Sequence, residues 1–348
     1  MANELDSLFF FGRPFGPLYG LIMKVREQLY TKNVFKQENP GVPVVSVGNL
    51  VLGGTGKTPT VIHLAKMLKT FGLKPAIISR GFGGQSKKSV NVVSDGESIL
   101  MNAVSAGDEP VLIARSLPDI PVVTGKKRIL PCKYAVTQFG VNIIILDDGF
   151  QHMGVTRDIN LVLFDASTLA GNSRIFPAGP LREPISALKR TTAFLISGQH
   201  KGNKNRSESF ADLLRSKFEN IPVFIANYSH PTLVDANDKP VSAHKVKDAY
   251  VFCAIANPDR VSNTLENINV NIVGSTPYKD HTPYNQRQIT ALCEQASLVN
   301  AQYLITTTKD FVKVKGFHFS LPLLVLQVNQ RPESGFDEYI LKKIPHNR

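Results

Sequence analysis

Short apolar runs recur along the chain, and several are separated by segments in which the apolar residues have helical spacing. The runs in the first part are VPVVSVGNL, PAIISRG (75–81), VNIIILDDG (141–149), INLVLFDA (159–166) and TAFLISG (192–198). Those in the second part are VFIANY (223–228), DAYVFCAIANP (248–258), AQYLITTTKD (301–310) and PLLVLQVN (322–329). Strands that are apolar throughout are typical of parallel sheets buried on both faces, and their alternation with helices predicts an α/β fold.

The two sets of runs predict two α/β domains. A chain of 348 residues is long for one domain and ordinary for two. Between the sets lies HKGNKNRSES (200–209), which is polar, basic and without periodicity, and which we interpret as a loop or the approach to a domain boundary. We therefore place a first domain at 41–215 and a smaller one at 216–348, and we treat residues 1–40 separately.

The first 40 residues combine aromatic, apolar and basic side chains. Four phenylalanines precede a predicted amphipathic helix: Phe9, Phe10, Phe11 and Phe15. One face of that helix carries Leu18, Ile22, Val25 and Leu29. The surrounding basic residues are Arg13, Lys24, Arg26, Lys32 and Lys36. Two interpretations fit this pattern: a helix that lies on an anionic membrane surface, or a helix that covers one edge of the core.

The net charge of the chain limits the classes of partner that we expect it to bind. There are 40 Lys and Arg residues against 28 Asp and Glu, which gives a net charge of +12. A basic protein favours a polyanionic partner, such as a nucleic acid, a nucleotide or an anionic membrane face. No aromatic RNA-binding motif and no zinc-finger spacing occurs in the sequence, so we expect no nucleic-acid partner.

The positions of the cysteines and the hydropathy of the chain predict the cellular compartment of the protein. Cys132, Cys253 and Cys293 are far apart, which predicts reduced thiols rather than a disulfide frame or a zinc site. No apolar run approaches the ~20 residues of a membrane span, and the acidic start MANELDSLFFFG does not have the pattern of a signal peptide. We expect a cytosolic protein, or one attached to a membrane from the cytosolic side.

The segment LVLGGTGKTPTVIHLAKML (50–68) has the features of a phosphate-binding loop that runs into a helix. In the usual pattern, G-x-x-x-x-G-K-[ST], Val51 replaces the first glycine. The turn itself consists of Gly53, Gly54, Thr55 and Gly56. Such a turn aims backbone N–H groups at an oxyanion, and the following helix adds its positive end. We predict a nucleotide site in which Lys57 reaches the β/γ-phosphates and the Thr58 hydroxyl ligates Mg²⁺.

Two acids follow another apolar strand. In NIIILDD, Asp147 and Asp148 come after four apolar residues, as in a Walker B strand, and either acid can hold Mg²⁺ directly or through water. The sequence has no N-K-x-D motif, which disfavours a GTPase, and Leu52 occupies the position of the signature lysine of partition-type ATPases. A kinase remains, which needs a base near the acceptor hydroxyl and cations around the transferred phosphoryl group.

Further polar motifs occur along the chain in a characteristic order. They are SRGFGG (79–84), GDEP (107–110), DDGFQH (147–152) with RDINLVLFD (157–165), PAGPLREP (177–184), DHTPY (280–284) and TTKDFVK (307–313). Together with SVGNLVLGGTGKTP they resemble the tetraacyldisaccharide 4'-kinase family. GDEP alone is a weak match, whereas PAGPLREP, LDDGFQH and the order of the whole set are distinctive.

The resemblance implies a specific reaction and fold. Members of the family transfer the γ-phosphoryl group of ATP to the 4'-hydroxyl of a tetraacylated glucosamine disaccharide 1-phosphate, giving lipid IV-A in lipid A (lipopolysaccharide) biosynthesis. The expected fold is two α/β/α domains around a cleft, the first with a P-loop NTPase-like, mostly parallel sheet. ATP and Mg²⁺ are the expected cofactors, and the lipid substrate and an anionic membrane surface are the expected partners. The expected location is peripheral, on the cytoplasmic face of the inner membrane, with no obligate protein partner.

The family's functional positions carry over where the motifs match. The expected catalytic residues are Asp108, His281, Lys57 and Asp148. Asp108 activates the sugar hydroxyl in this scheme, and His281 orients it and shares the incoming proton. Phosphate contacts are expected from Gly53, Gly54, Thr55, Gly56, Lys57, Thr58, Arg80, Arg128, Gln151 and Arg182. The expected metal contacts are Thr58, Asp147 and Glu183.

Several of these residues also have simpler interpretations. His281 fits a turn, and Asp108 fits the N-cap of a helix over EPVLIARSL. The neighbouring charges in REP fit a surface ion pair of little consequence. The chain departs from the family pattern at Thr282, where a second histidine is frequent, and at Thr308, where a glutamate is frequent. A soluble kinase for a small sugar or cofactor precursor, and a regulatory ATPase switch, are the alternative functions.

Overall fold

The computed structural model of this chain describes residues 2–345, and its larger sheet forms the first α/β unit. The strands of this sheet are β1 (Val44–Asn49), β2 (Pro75–Ser79), β3 (Asn91–Ser94), β4 (Val122–Thr124), β5 (Ile143–Asp147), β6 (Ile159–Asp165), β7 (Ala193–Gln199), β8 (Val223–Tyr228) and β15 (Gln330–Pro332). They lie in the order β15-β8-β7-β6-β1-β5-β2-β4-β3. Neighbours are parallel except for β3 with β4 and β8 with β15, so the antiparallel pairs are at the two edges.

Helices cover both faces of the larger sheet. One face packs against α3 (Lys57–Thr70), α5 (Asp108–Ser116) and α11 (Phe336–Lys343). The other packs against α6 (Ile129–Phe139) and α7 (Lys204–Lys217). Because both faces are covered, β1 and β5 are buried at every position, as their continuous apolar sequences predicted. A short helix, α4 (Ala103–Ala106), leads into α5.

The order of the strands identifies the functional edge of this sheet. After β1 the chain adds strands on one side of it as far as β5, and from β6 onward it adds them on the other side. In open α/β sheets, ligands bind beyond the carboxyl ends of the strands at such a reversal. The last residues of β1, β5 and β6 are Asn49, Asp147 and Asp165, which therefore lie at this position.

A smaller sheet forms the second α/β unit. Its strands are β9 (Thr232–Asp235), β10 (Pro240–Val241), β11 (Ala249–Cys253), β12 (Ile272–Pro277), β13 (Tyr303–Thr307) and β14 (Leu323–Gln327), in the order β10-β9-β14-β13-β11-β12. Helix α8 (Asp259–Glu266) packs on one face, and α9 (Gln286–Leu298) and α10 (Thr308–Val314) pack on the other. Two layers of helices therefore enclose this sheet as well, which agrees with the expected pair of α/β/α units.

The change between sheets does not fall at residue 215, where the sequence suggested a boundary. Strand β8 and, after the second unit, β15 and α11 all belong to the larger sheet. The polar stretch at 200–209 is also not a simple loop, because a 3₁₀ turn at Lys201–Asn203 leads into α7. Its polarity reflects a solvent-facing helix surface, since Ser207, Ala211 and Leu214 are the buried residues of α7.

The N-terminal segment consists of α1 (Ala2–Gly12), a 3₁₀ turn and α2 (Gly16–Thr31). In α2 only Gly16 and Gly20 are buried. Leu18, Leu21 and Ile22 have 58, 58 and 52% of their surface exposed, so the apolar face does not cover an edge of the core. Among residues 2–345, no helix is both long enough and apolar enough to cross a membrane.

Candidate active site

The predicted phosphate loop connects β1 to α3. Gly53 and Gly56 have φ of +109° and +74°, which favours glycine at both positions. A Cβ added to Gly53 or Gly54 would have no atom within 4 Å, so this part of the loop is open. A Cβ on Gly56 would instead lie 2.9 Å from the Ser197 hydroxyl. The open side of the turn is free to receive a phosphate, and the first turn of α3 follows directly, with Lys57 and Thr58.

Val51 replaces the outermost glycine of the usual pattern because it belongs to the core. Its side chain is 2% exposed, and its backbone pairs with Leu181 in an isolated bridge. The Leu52 N–H donates to the Pro180 carbonyl at 2.8 Å, and the Arg182 N–H donates to the Leu50 carbonyl at 2.8 Å. The loop is thus held against the PAGPLREP segment, which brings that motif to the nucleotide site.

Four predicted residues form one connected cluster at the ends of β1 and β5. Lys57 Nζ lies 3.5 Å from Asp148 Oδ1. Arg182 Nη1 donates to Asp148 Oδ1 at 2.8 Å and to Gln151 Oε1 at 3.0 Å. Asn49 joins both cations, because its Oδ1 accepts from Lys57 and from Arg182, each at 3.3 Å. The cluster places two cations and one carboxylate beside the open turn.

The electrostatics of Asp148 are set by this cluster. Burial raises the pKa of Asp148, but the charges of Lys57 and Arg182 and the hydrogen bonds from Arg182 outweigh it. The net result is a pKa below the usual aspartate value. Asp148 is therefore an anion in the folded protein, and Arg182 pairs with it rather than with the neighbouring Glu183.

Asp147 differs from Asp148 in its electrostatic environment. It is 2% exposed, Ser79 donates to its Oδ2 at 3.0 Å, and its buried Oδ1 has no partner among the described residues. Burial, followed by the charges of Glu109 and Asp148, raises the pKa of Asp147 to about 7. A buried carboxylate with an unpaired oxygen is destabilised, so a cation beside Oδ1 would be bound favourably.

Glu183 is also buried, with 2% exposure. Its Oε2 accepts from Arg190 Nη2 at 2.6 Å, while its Oε1 has no partner within residues 7–345. The interpretation of Arg182 and Glu183 as a surface pair is therefore wrong, because each pairs with a different residue. Arg190 also pairs with Glu27 of α2, which connects the N-terminal helix to this loop.

The three expected metal contacts are of the chemical type that magnesium takes in sites where it is shared with a nucleotide. Within residues 2–345, no three His, Cys, Asp or Glu side chains come together to hold a metal by themselves. Magnesium in phosphoryl-transfer sites uses only one or two carboxylates and takes its other ligands from phosphates and water. The free oxygens of Asp147 and Glu183 and the Thr58 hydroxyl are donors of that kind. Their contact with a metal remains a prediction.

Arg80 and Arg128 lie near the same strand ends but differ in exposure. Arg80 is exposed, whereas Arg128 is 4% exposed and its Nε has no partner in the described part of the chain. Burial lowers the pKa of Arg128, and the charges of Asp147 and Asp148 oppose that effect. Burial and then nearby arginines, including Arg128 and Arg80, lower the pKa of His152 to about 4. His152 is therefore neutral in an arginine-rich environment that suits an anion.

Asp108 and His281 meet across the two α/β units. Asp108 is 8% exposed, and its Oδ2 lies 3.0 Å from His281 Nδ1. The N-cap interpretation of Asp108 is wrong, because Gly107 is the N-cap of α5 and no side chain caps that helix. His281 does lie in a turn, with φ of +63°, and its ring packs edge-on against Phe82 with centroids 6.0 Å apart. The SRGFGG, GDEP and DHTPY motifs therefore meet at one place.

Comparison with known proteins identifies the family to which these motifs belong. A family model for tetraacyldisaccharide-1-P 4'-kinase matches residues 8–345. The chain belongs to this family. The tetraacyldisaccharide 4'-kinase of Desulfotalea psychrophila is 44% identical, over 98% of this chain and 98% of its own length. That of Syntrophus aciditrophicus is 37% identical, over 94% of this chain and 91% of its own.

A solved structure gives the same result for the fold. The LpxK of Aquifex aeolicus, described as an "apo" form in complex with ATP, is 27% identical to this chain. It superposes with a TM-score of 0.77 over 95% of this chain and 98% of its own. The predicted family and the predicted P-loop NTPase-like α/β fold are confirmed.

Sequence reasoning missed several residues of this 4'-kinase family member that contact the predicted ones. Asn49 joins Lys57 to Arg182, Arg190 pairs with Glu183, and Lys309 Nζ lies 3.1 Å from His281 Nε2. The position of Asn49 at the end of a buried strand was a usable signal. Arg190 follows Glu183 by seven residues, and Lys309 lies in the TTKDFVK motif, but the sequence alone assigned no role to either residue.

Proposed function

We propose that the chain transfers the γ-phosphoryl group of ATP to the 4'-hydroxyl of tetraacyldisaccharide 1-phosphate, giving lipid IV-A. The observation that carries this proposal is the Asp108–His281 pair, 3.0 Å apart, contributed by two α/β units beside a phosphate loop. Glu109, next to Asp108, contributes to the raised pKa of Asp147, so the start of α5 lies close enough for its charge to act on a strand-end acid. An acid at that position suits transfer to a hydroxyl group.

The nucleotide end of the reaction relies on Lys57 and the open turn. Backbone N–H groups at 53–58 and the N-terminus of α3 bind the phosphates of ATP, and Lys57 reaches the β- and γ-phosphates. Lys57 is now held by Asn49 and Asp148, so binding of ATP exchanges those contacts for phosphate oxygens. Thr58, Asp147 and Glu183 would hold a Mg²⁺ ion, which would supply positive charge to the phosphate oxygens.

Asp108 serves the acceptor end of the reaction. The 4'-hydroxyl oxygen forms a bond to the γ-phosphorus while the bond from that phosphorus to the β,γ-bridging oxygen breaks, and ADP leaves. The hydroxyl proton passes to the Asp108 carboxylate, which becomes a neutral acid. His281 contacts Oδ2 of that carboxylate and thereby orients it. Arg80, Arg128 and Arg182 supply positive charge for the anionic substrates, with Gln151 orienting Arg182.

The N-terminal segment supports a peripheral position on the cytoplasmic face of the inner membrane. Phe10, Phe11 and Phe15 are 58, 75 and 61% exposed, beside the exposed face of α2. Apolar side chains on an interfacial helix enter the acyl boundary, while basic residues contact anionic headgroups. A membrane surface and the acylated disaccharide are the proposed partners, with no nucleic acid and no obligate protein partner.

A transfer assay tests the reaction. Labelled ATP and tetraacyldisaccharide 1-phosphate in detergent micelles are incubated with the wild type, with Asp108→Asn, and with Asp119→Asn, whose side chain is 72% exposed, as a control. We expect lipid bis-phosphate from the wild type and the control, and a loss of about 10²-fold or more in Asp108→Asn. ATP hydrolysis without any labelled lipid from the wild type would overturn the proposed acceptor.

A flotation assay tests the location separately. The triple variant Leu18→Ser, Leu21→Ser and Ile22→Ser is compared with Leu298→Ser, which changes an 84% exposed leucine of the second unit. We expect the triple variant to lose association with vesicles that contain anionic lipid, and Leu298→Ser to retain it. Equal recovery of the triple variant and Leu298→Ser with the vesicles would refute the role of α2.

A further inference from the structure

We infer that Lys309 is a positioning residue that fixes the ring proton of His281 on Nδ1, so that His281 orients Asp108 without taking up the proton of the substrate. The inference rests on the proposed role of Asp108 as the proton acceptor. Lys309 belongs to the TTKDFVK motif, and neither the phosphate loop nor the Asp108–His281 pair by itself assigns a role to this residue.

The contacts of Lys309 place it on the far side of the His281 ring from Asp108. Its Nζ lies 3.1 Å from His281 Nε2 and 3.2 Å from Asp280 Oδ1. It also lies 3.8 Å from Glu109 Oε1, on the other α/β unit. The imidazole is thus held between an ammonium group at one nitrogen and the Asp108 carboxylate at the other.

These contacts determine which nitrogen of His281 carries the proton. A lysine ammonium group has three donors and no acceptor, so Nε2 accepts from Lys309 through its lone pair. A neutral imidazole has a single N–H, which is then on Nδ1 and donates to Asp108 Oδ2 at 3.0 Å. Asp280 does not provide an alternative acceptor for an Nε2–H, because its Oδ1 is 3.8 Å away.

The same geometry limits what His281 does during transfer. With Nδ1 already protonated, a second proton has to enter at Nε2, where it would face the Lys309 ammonium donor at 3.1 Å. The proton from the sugar hydroxyl therefore stays on Asp108 until product leaves. This differs from the sequence expectation that His281 shares the incoming proton.

Lys309 is held in place by the start of α10. The Thr307 hydroxyl accepts from the Asp310 N–H at 3.1 Å and donates to Asp310 Oδ2 at 2.8 Å. The same carboxylate accepts the Ala254 N–H at 3.0 Å, and Lys313 pairs with its other oxygen at 2.8 Å. Because the residue after Lys309 is fully buried in this network, the backbone that carries Lys309 has little freedom.

The contact between Lys309 and Glu109 joins the two α/β units. Lys309 and His281 belong to the second unit, whereas Glu109 and Asp108 belong to α5 of the first. The tautomer is therefore fixed by a residue that moves together with His281. Asp108 is oriented correctly only while the two units are in contact.

Two measurements test the inference, on the full-length chain. The first uses protein labelled with ¹⁵N-histidine, with the His281 signal identified by its disappearance in His281→Gln. We expect an N–H at Nδ1 and an unprotonated Nε2 in the wild type, and a change toward Nε2–H in Lys309→Met. A wild-type Nε2–H, or a Lys309→Met spectrum identical to that of the wild type, would overturn the inference.

The second measurement compares kinetic constants of Lys309→Met, Lys309→Arg and Lys315→Met, the last changing an exposed lysine just after α10. We expect kcat of Lys309→Met to fall at least about tenfold with little change in KM for ATP, because the phosphate loop is untouched. Arginine retains the donor and the charge, so Lys309→Arg should recover part of kcat, and Lys315→Met should match the wild type. An unchanged kcat in Lys309→Met, or no recovery with arginine, would contradict the inference.

The two tests separate this inference from the proposed function. The tautomer of His281 is read from the resting protein and does not depend on the acceptor. A wild type with the Nδ1–H tautomer that fails to phosphorylate the lipid would refute the proposed acceptor alone. A wild type that phosphorylates the lipid but carries Nε2–H would refute the role of Lys309 alone.

Discussion

Replacing Asp147 by asparagine should stabilise the folded chain, and more so as the pH rises. Asp147 is buried, and its Oδ1 has no partner in the described residues. Asparagine has nearly the same shape and can still accept the Ser79 hydrogen bond through its carbonyl oxygen. The substitution therefore removes a buried negative charge while leaving the packing almost unchanged.

The size of the effect follows from the pKa of Asp147. Burial, with the charges of Glu109 and Asp148, raises that pKa from 3.8 to about 7. A pKa difference of one between the folded and unfolded chains corresponds to about 1.4 kcal/mol. Complete ionisation of the Asp147 carboxyl in the folded chain therefore lowers the free energy of unfolding by about 4 kcal/mol.

The direction of the pH dependence follows from proton uptake. Below about pH 4 both the folded and the unfolded chains hold the proton. Between about pH 4 and pH 7 the unfolded chain releases it and the folded chain keeps it, so wild-type stability falls as the pH rises through this window. Asp147→Asn does not lose stability in this window. Its free energy of unfolding should therefore exceed that of the wild type by about 2 kcal/mol at pH 5 and by about 4 kcal/mol at pH 8.

Urea unfolding of the wild type and of Asp147→Asn, followed by far-UV circular dichroism, measures the free energy of unfolding of each protein at pH 5 and at pH 8. Asp119→Asn is the control, since it removes an exposed carboxylate that pairs with Lys69 on the surface and should change stability by no more than about 1 kcal/mol. An Asp147→Asn gain that is equal at both pH values, or a loss at pH 8, would refute the assignment of a raised pKa. Phosphoryl transfer by Asp147→Asn should fall although the protein is more stable, because the proposed metal contact is lost.

Three further substitutions test other parts of the structure. Lys57→Met should lower phosphoryl transfer by about 10²-fold or more in the labelled-ATP assay, because it removes the cation that extends from the phosphate loop to the β/γ-phosphates. Leu64→Ala, at a fully buried position, should lower the free energy of unfolding in urea by about 3 kcal/mol, whereas Leu213→Ala, at a 50% exposed position, should lower it by less than about 1. Arg260→Ala leaves the buried Asp165 carboxylate without its cation at 3.1 Å, and urea unfolding should show a loss of about 2 kcal/mol, since the arginine is 34% exposed and partly screened.

The sequence predicted the central strands of both sheets and missed the edges. Each of the nine apolar runs contains a strand, and the run at 223–228 matches β8 residue for residue. The missed strands are short or half-exposed, and β12 has no buried position. β15 contains Pro332 and pairs at a sheet edge, where a missing N–H is tolerated. Burial on both faces produces a strong sequence signal, and edge strands lack it.

The boundary between the units was not predictable from local sequence. β8 looks like the first strand of a new set, but its side chains pack with α7 in the core of the larger sheet. After the second unit the chain returns through β15 and α11, where Phe336 is fully buried against the same sheet. Such pairing across more than a hundred residues is a property of the folded chain, and no periodicity within one segment records it.

Some parts of the candidate site are local sequence motifs, and others depend on contacts between distant segments. The phosphate loop and the strand-end acids are local, so their residue types and spacing were sufficient to predict them. Asp108 had two local interpretations, of which the N-cap is excluded because Gly107 caps α5, and its catalytic role stays a prediction supported by the contact with His281 from the second unit. Glu183 was expected to contact a metal, but its pairing with Arg190 leaves a single oxygen for that purpose.

The N-terminal helix departs from the rule that a surface helix packs by its apolar side. α2 contacts the site through polar groups, since Arg26 donates to the Gln151 carbonyl at 2.9 Å and the Tyr19 hydroxyl donates to the Arg182 carbonyl at 3.2 Å. Glu27 completes these contacts by pairing with Arg190. The apolar side chains instead point to solvent, and a group of exposed apolar residues of this kind is typical of an interaction site. On the proposed membrane surface, α2 would bring the acylated substrate next to the loops that hold Arg182 and Gln151, so that one helix would serve both sets of contacts.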